Sequence, residues 1–353
     1  RLGARGPDGL SPIASALARI EARRSKRERP VATPWNGVNE ALGGGLWPGF
    51  YVLVGGTGAG KSQWALQLGL HAAGAEGGGV PVLYLALELD TFGMVCRALS
   101  AVARAQGEQA PPWSALYRGD ADPPADAPAA LDALPFHVVE ADAHGFGHDE
   151  VADAVAAFRA LYPRDKHPGA LVVLDFLQLV SSPPDAREDL RERISHAAYQ
   201  CRVAAREHSV AVVALSSTAR RIGDNNPMVI TRDENNAPVR EQLHDLVGMG
   251  KESGDVEYSA DAVMVMCREP WEGEQRPGEG TRVHLAVAKL RAGQGSWCQL
   301  AFDGTTFRDA PVEPSARPAA KQGKGGARGE ASASRPAPAM VSGVRRRGAG
   351  VGE

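Results

Sequence analysis

One eight-residue stretch restricts the fold of this chain more than any other feature. GGTGAGKS, residues 55–62, satisfies G-x-x-x-x-G-K-[ST] at every fixed position. It follows the apolar run FYVLVG (50–55) and precedes QWALQLGLHAAG (63–74), so strand, glycine loop and helix come in the order such a loop demands. Glycines let successive backbone N–H groups converge on phosphate oxygens, and the following helix N-terminus adds a favourable dipole. Gly55, Gly56, Thr57, Gly58, Ala59, Gly60, Lys61 and Ser62 are the expected cradle for ATP. Lys61 is placed to reach the β- and γ-phosphates and Ser62 to hold Mg²⁺. The competing explanation, a chance glycine-rich turn, fits this flanking context poorly.

A phosphate-binding loop also needs an acid at the end of a neighbouring strand to anchor the metal. ALVVLDFLQLV (170–180) offers Asp175 at the close of a strongly apolar run. A helix-capping role is the alternative for that residue. Position 176 is Phe, so no carboxylate directly follows Asp175 to act as a base. Glu88 closes the apolar run PVLYLALE (81–88), where a carboxylate can orient a water for attack on a γ-phosphate. A salt-bridged strand-end acid is the other reading of Glu88.

Around these motifs apolar strands alternate with helical stretches, near 91–106, 149–162 and 186–208. That alternation predicts an α/β domain with a mainly parallel central sheet and helices on both faces. Two late strands, near 282–290 and 297–303, are joined by a short turn and predict an antiparallel C-terminal edge hairpin. The Pro/Ala-rich segment 107–134 reads as a variable insertion. The expected organisation is a basic linker helix within 1–30, one domain over 31–310, and a disordered basic Pro/Ala/Gly-rich tail over 311–353. In the linker, Ser11 and Pro12 signal a helix start, and Ile13, Leu17 and Ile20 form a narrow stripe. Such a stripe docks either on its own domain or on a neighbouring subunit.

Charge separates the same three parts. Residues 1–30 and 311–353 each carry eight Lys/Arg against three Asp/Glu, while the whole chain has net charge −3, so 31–310 is acidic. An acidic body with basic ends is unlike a constitutive basic DNA clamp, and any nucleic-acid contact must use local loops or the ends. The four cysteines form no C-x-x-C pair, which suggests free thiols in a reducing cytoplasm. No apolar run approaches the roughly 18–20 residues of a membrane span, and no signal peptide is evident. The first residue is Arg1, not Met, which leaves an upstream domain open.

Two lesser constellations compete for a role. ADAHGFGHDE (141–150) gathers His144, His148, Asp149 and Glu150, yet its glycines favour a loop leading into a helix cap over a metal site. Trp35, Trp47, Trp113 and Trp271 stand singly near Pro and Gly, which favours packing over stacking on bases.

A base on the strand after the P-loop helix, away from the metal acid, is the arrangement of RecA-type ATPases. Taken in order, LGGGLWPGFYVLVGGTGAGKS, LALELD, VVLDFLQLV with Gln178, VAVVALSSTAR, GKESGDVEYSADAVMVMCRE and AVAKLRAGQGSWCQLAFDG resemble the C-terminal RecA-like ATPase domain of DnaB-type replicative hexameric helicases. The resemblance covers about 33–308 and implies a ring, a hexamer in most members, with nucleotide between subunits and single-stranded DNA in the channel. It adds Gln178 to the nucleotide site. It places DNA-facing loops around 181–188 and within 219–254, where Arg220, Arg221, Arg232, Arg240 and Lys251 can meet phosphates.

The same resemblance gives meaning to AKLRAGQG (288–295). In the family, K-x-R on this strand projects into the neighbour's site, which makes Lys289 and Arg291 catalytic in trans. Alternate strand residues share a face, so the two cations can act together. The alternative is a cationic edge strand that discourages aggregation. Two positions depart from the family: Ser217 stands where a γ-phosphate-sensing Gln is usual, and Ala219 where Asn is usual. The family's primase-contacting N-terminal domain lies outside the matched stretch, and a loader and primase are the partners the family implies. The P-loop resembles RadA and KaiC relatives equally well. The expectation is therefore an ATP-dependent DNA helicase motor, with a RadA- or KaiC-like assembly-switching ATPase as the alternative.

Overall fold

The computed structural model describes residues 11–107, 110–141, 146–182, 188–217, 253–268 and 280–310. Helices α1 (Pro12–Arg24) and α2 (Asn36–Ala41) precede strand β1 (Gly49–Gly55) and helix α3 (Lys61–Ala73). Then come β2 (Val82–Ala86), α4 (Thr91–Ala105), α5 (Trp113–Arg118), α6 (Ala127–Asp132), β3 (Phe136–Glu140) and α7 (His148–Leu161). The described chain ends with β4 (Leu171–Asp175), α8 (Leu190–Glu207), β5 (Ala211–Ser217), α9 (Ser253–Ser259), β6 (Ala262–Arg268), β7 (Thr281–Leu290), β8 (Ser296–Phe302) and β9 (Phe307–Asp309).

The strands form one sheet in the order β3-β2-β4-β5-β1-β6-β7-β8-β9. From β3 to β6 every pairing is parallel, and from β6 onward every pairing is antiparallel. β1 lies at the centre, with Gly49–Gly55 in register with Ala211–Ser217 on one side and Tyr51–Gly55 with Ala262–Met266 on the other. All seven residues of β1 are buried, because a strand between two layers of helices has no wet face. Its side chains still alternate: Tyr51 and Leu53 join the core under α3 and α4, whereas Phe50, Val52 and Val54 join the core under α7 and α8.

The parallel sheet with an antiparallel C-terminal hairpin is as the sequence predicts, with additions. β3 was not foreseen, since its half-buried, short run FHVVE lacks the apolar strength of its neighbours. β9 has only three residues, too few to show a period. It is held from the side: Gln67 exchanges two 2.7 Å hydrogen bonds with the Phe307 backbone, and the Trp35 indole N–H donates to Phe307 O at 3.1 Å. Trp35 stacks on Trp64 at 5.0 Å, and both are fully buried, so packing is the role of Trp35. The segment 107–134, expected as a variable insertion, contains α5 and α6.

The edge-strand reading of Lys289 and Arg291 is met only in part: β8 pairs with β7 no further than Val287, so Lys289 is paired on the β6 side alone, and Arg291 lies just past the strand. β7 lies inside the sheet between β6 and β8, and Lys289 is in register with Val263. No residue of α1 is buried, and Ile13, Leu17 and Ile20 are about 60% exposed, so the stripe does not dock on its own domain. The helix is instead tied down near its C-terminus. Arg19 and Arg23 pair with Glu28 at 2.8 and 3.3 Å, and the Arg23 guanidinium lies 4.1 Å over the Trp47 ring. All four cysteines are buried and free. No helix among the described residues is long and apolar enough to cross a membrane.

Candidate nucleotide site

The loop between β1 and α3 turns on two left-handed glycines, Gly58 (φ +75°) and Gly60 (φ +97°). A Cβ at Gly60 would also lie 2.9 Å from the Phe307 ring, so the unforeseen β9 seals the underside of this loop. The Lys61 ammonium donates to the carbonyls of Gly55 at 2.9 Å and Gly56 at 3.1 Å. An ammonium has three donors, so one remains for a ligand oxygen. Burial pushes Lys61 below its ordinary value, against the pull of Asp175 and Glu88.

Asp175 ends β4 directly beside β2, in register with Ala86. It is 1% exposed, and its carboxylate accepts from the Tyr84 hydroxyl at 2.8 Å and from the Ser62 hydroxyl. Burial raises the Asp175 pKa, opposed by those two hydrogen bonds and by Lys61. A buried carboxylate bonded to a hydroxyl is a hard-oxygen donor set, which suits Mg²⁺. Among the described residues nothing supports a helix-capping role for Asp175, whose carboxylate is engaged by Tyr84 and Ser62.

Glu88 follows β2, its backbone N–H donating to Asp175 O at 3.2 Å, and its side chain is exposed. Among the described residues it takes part in no ion pair, so the salt-bridge reading finds no partner. Glu88, Lys61, Ser62, Thr57, Gly58 and Gly60 line one cavity of about 350 Å³. Gln178 sits just behind the end of β4, donating to Ser216 Oγ at 2.8 Å and accepting from the Ser217 N–H at 3.3 Å. It thereby ties the ends of β4 and β5 together, and Ser217 itself lines the cavity.

Six side chains not expected at this site also line it: Gln63, Leu89, Arg97, Phe176, Arg268 and Phe302. Trp113 lines it too, although the sequence reading assigned it to packing. Arg97 comes from the second turn of α4, and burial pushes its guanidinium below its ordinary value against the pull of Tyr84, Asp175 and Glu88. Its position nine residues after Glu88, on the helix that Glu88 introduces, is the signal that could have identified it. Arg268 ends β6, and its guanidinium lies 5.4 Å from the Phe302 ring centroid.

Lys289 and Arg291 are not brought to this cavity. Lys289 donates to the carbonyls of Glu257 and Ala260 (3.0 Å to the latter), and Arg291 donates to Tyr258 O at 2.9 Å. Arg291 also pairs with Asp261 at 3.3 Å. Both cations therefore meet carbonyls at the C-terminal end of α9, where positive charge complements the helix dipole. Burial lowers the pKa of Lys289, and the charge of Arg291 adds to that. Leu290 packs against the core, as strand alternation requires.

Arg220, Arg221, Arg232, Arg240 and Lys251 lie outside the described residues, as do Ala219, Trp271, His144 and most of 181–188. Among the described residues no group of His, Cys, Asp and Glu suits a metal ion. Glu150 instead accepts from the Gly147 N–H at the start of α7, in keeping with a helix cap.

The family model for the DnaB-like helicase C terminal domain matches residues 31–309. The replicative DNA helicase DnaB of Leifsonia xyli subsp. xyli is 28% identical over 312 residues, covering 86% of this chain and 61% of that protein. That of Geobacillus stearothermophilus is 27% identical over 150 residues, covering 42% of this chain and 30% of that protein. The chain thus spans about three fifths of the length of the first of these relatives. Among solved structures, a DnaB-like replicative helicase described with its primase interactions superposes with TM-score 0.63 at 18% identity, over 86% of this chain and 67% of that one. A second solved structure, of an ATPase domain, superposes with TM-score 0.59 at 19% identity, over 84% of this chain and 98% of that one. At these identities the superpositions establish the fold, which is RecA-like.

Proposed function

This chain belongs to the DnaB-like helicase C-terminal domain family, and we propose that it is the ATP-hydrolysing motor of a ring-forming DNA helicase acting in replication. The observation that carries the proposal is the convergence of Lys61, Ser62 and Glu88 on one cavity, with the buried Asp175 carboxylate against Ser62 and the K-x-R pair held at the other end of the sheet. Lys61 and the loop N–H groups of 56–62 bind the phosphates. Ser62 and Asp175 hold Mg²⁺, which supplies charge neutralisation at the phosphates when bound. Glu88 orients the attacking water and takes its proton. Arg97 offers a second cation at the phosphate end, and Arg268 with Phe302 offers stacking surfaces for the base.

Arg291 is a stabilising cation for the neighbour's γ-phosphate in this reading. Along the strands it lies level with Phe50, five residues from the loop at Gly55, or about 16 Å from its own P-loop. The site of one subunit is then incomplete without the next, which accounts for a ring, a hexamer by analogy with the family. The uncovered stripe of α1 suits the same assembly as an arm for an adjacent subunit. Contact with single-stranded DNA falls to the cations of 219–254. A loader and a primase are partners that the family resemblance suggests for such a motor. An assembly-switching ATPase of the RadA or KaiC kind is not favoured by the family match.

Two measurements test the proposal. Native mass spectrometry with ATP and single-stranded DNA is expected to show a closed oligomer, and steady-state hydrolysis is expected to rise on adding the DNA. A strictly monomeric protein under those conditions contradicts the ring, and hydrolysis indifferent to DNA contradicts the motor.

A further inference from the structure

Arg97 is held in an unusual way for a half-buried cation. Its single hydrogen bond to protein among the described residues is a long one, 3.4 Å from Nη1 to Gln63 Oε1, and its buried Nε has no partner. What meets the guanidinium is the Trp113 ring, 3.8 Å from Cζ to the ring centroid. A guanidinium stacked on an indole keeps its N–H groups in the ring plane's periphery, free to bond a ligand, while its position is fixed.

The placement of Trp113 is itself built in. Ser100, fully buried one turn after Arg97 on α4, donates to Pro111 O at 2.7 Å. Pro111 and Pro112 stiffen the approach to α5, and at its far end Tyr117 packs on Phe92 at 5.2 Å. α5 is therefore fastened to α4 on both sides of Arg97, with the indole between. It comes from the 107–134 stretch that the sequence reads as variable.

We propose that Trp113 is a positioning residue: its indole face presets Arg97 toward the γ-phosphate end of the cavity. The proposal rests on the reading that this cavity binds ATP. Loss of the ring leaves Arg97 with one weak tether, so its contact with the third phosphate must be organised anew at each turnover. The cost falls on whatever distinguishes ATP from ADP in binding, and on kcat.

The test is a double-mutant cycle between Trp113→Leu and Arg97→Leu, read by two quantities. One is the ratio of Kd for ADP to Kd for ATPγS, each with Mg²⁺; the other is kcat for hydrolysis with single-stranded DNA. Trp113→Leu is expected to lower both by about tenfold, the scale of a desolvated cation–π contact. Trp113→Phe, which keeps a ring, is expected to recover most of the loss, and Trp113→Leu in the Arg97→Leu background is expected to add none. Equal losses in both backgrounds would mean that Trp113 only supports α5, and would overturn the proposal. So would a Trp113→Leu protein within twofold of wild type. If the wild-type chain hydrolyses no ATP, the proposed function fails, and the nucleotide ratio still decides the role of Trp113.

Discussion

Replacing Arg291 with Ala separates a structural from a catalytic role because the two predict effects of very different size. The structure gives Arg291 one ion pair with Asp261 and hydrogen bonds to carbonyls at the end of α9, with 41% of the side chain exposed. A pair that open to solvent is screened, so its loss costs stability no more than about 1 kcal/mol. It cannot touch the P-loop of its own subunit, about 16 Å away along the strands, so ATP affinity should stay within a few-fold of wild type. A trans arginine, in contrast, accounts for about a thousandfold in hydrolysis. The expected outcome is therefore a small drop in Tm, unchanged binding of a fluorescent ATP analogue, and hydrolysis reduced about a thousandfold. Mixing Arg291→Ala with Lys61→Ala subunits juxtaposes an intact P-loop with an intact Arg291 at some interfaces, and hydrolysis should partly return. A loss of less than about tenfold in hydrolysis, or a mixture with no recovery, refutes action in trans.

Three further outcomes follow from the same geometry. Tyr84→Phe removes the buried hydrogen bond to Asp175, so unfolding should come about 1–2 kcal/mol sooner and nucleotide binding should need about tenfold more Mg²⁺; a Mg²⁺ titration with unchanged midpoint contradicts the coupling. Burial pushes the Glu28 carboxyl up, but the hydrogen bonds and charges of Arg19 and Arg23 prevail and hold it below its ordinary value of 4.5. Its hold on α1 is thus complete above that value and lost as the pH falls through the lowered one. Hydrogen exchange in α1, corrected for intrinsic rates, should quicken on acidification in wild type and be already fast in Glu28→Gln. Ser217→Gln restores the residue usual in the family at a position lining the cavity, and DNA-stimulated hydrolysis should rise; a fall would mean that Gln178 and the cavity are fitted to the smaller side chain.

How much of this was legible in the sequence depends on how each residue is fixed. Lys61, Ser62, Asp175 and Glu88 stand out as candidates because each sits at a strand end or loop whose flanking pattern is itself a signal. The central strands could be read because burial on both faces makes them continuously apolar. Arg97 and Trp113 could not be paired, since the contact depends on how α5 folds back on α4 across a Pro/Ala-rich segment without a clear period. β9 escaped notice for a related reason: Gln67 and Trp35, 240 and 272 residues away in sequence, supply its partners. The K-x-R pair shows the opposite limit. Its alternation along a strand was readable, but that the pair meets the carbonyls at the end of α9 follows only from how α9 and β6 pack beside the end of β7.

The central claim is that hydrolysis at this cavity drives movement along DNA, and the most direct test is unwinding of a forked duplex. With ATP and Mg²⁺ the wild-type chain should separate the strands, and Lys61→Ala should not. Hydrolysis stimulated by single-stranded DNA with no strand separation would contradict the helicase account and leave an ATPase that acts by another means.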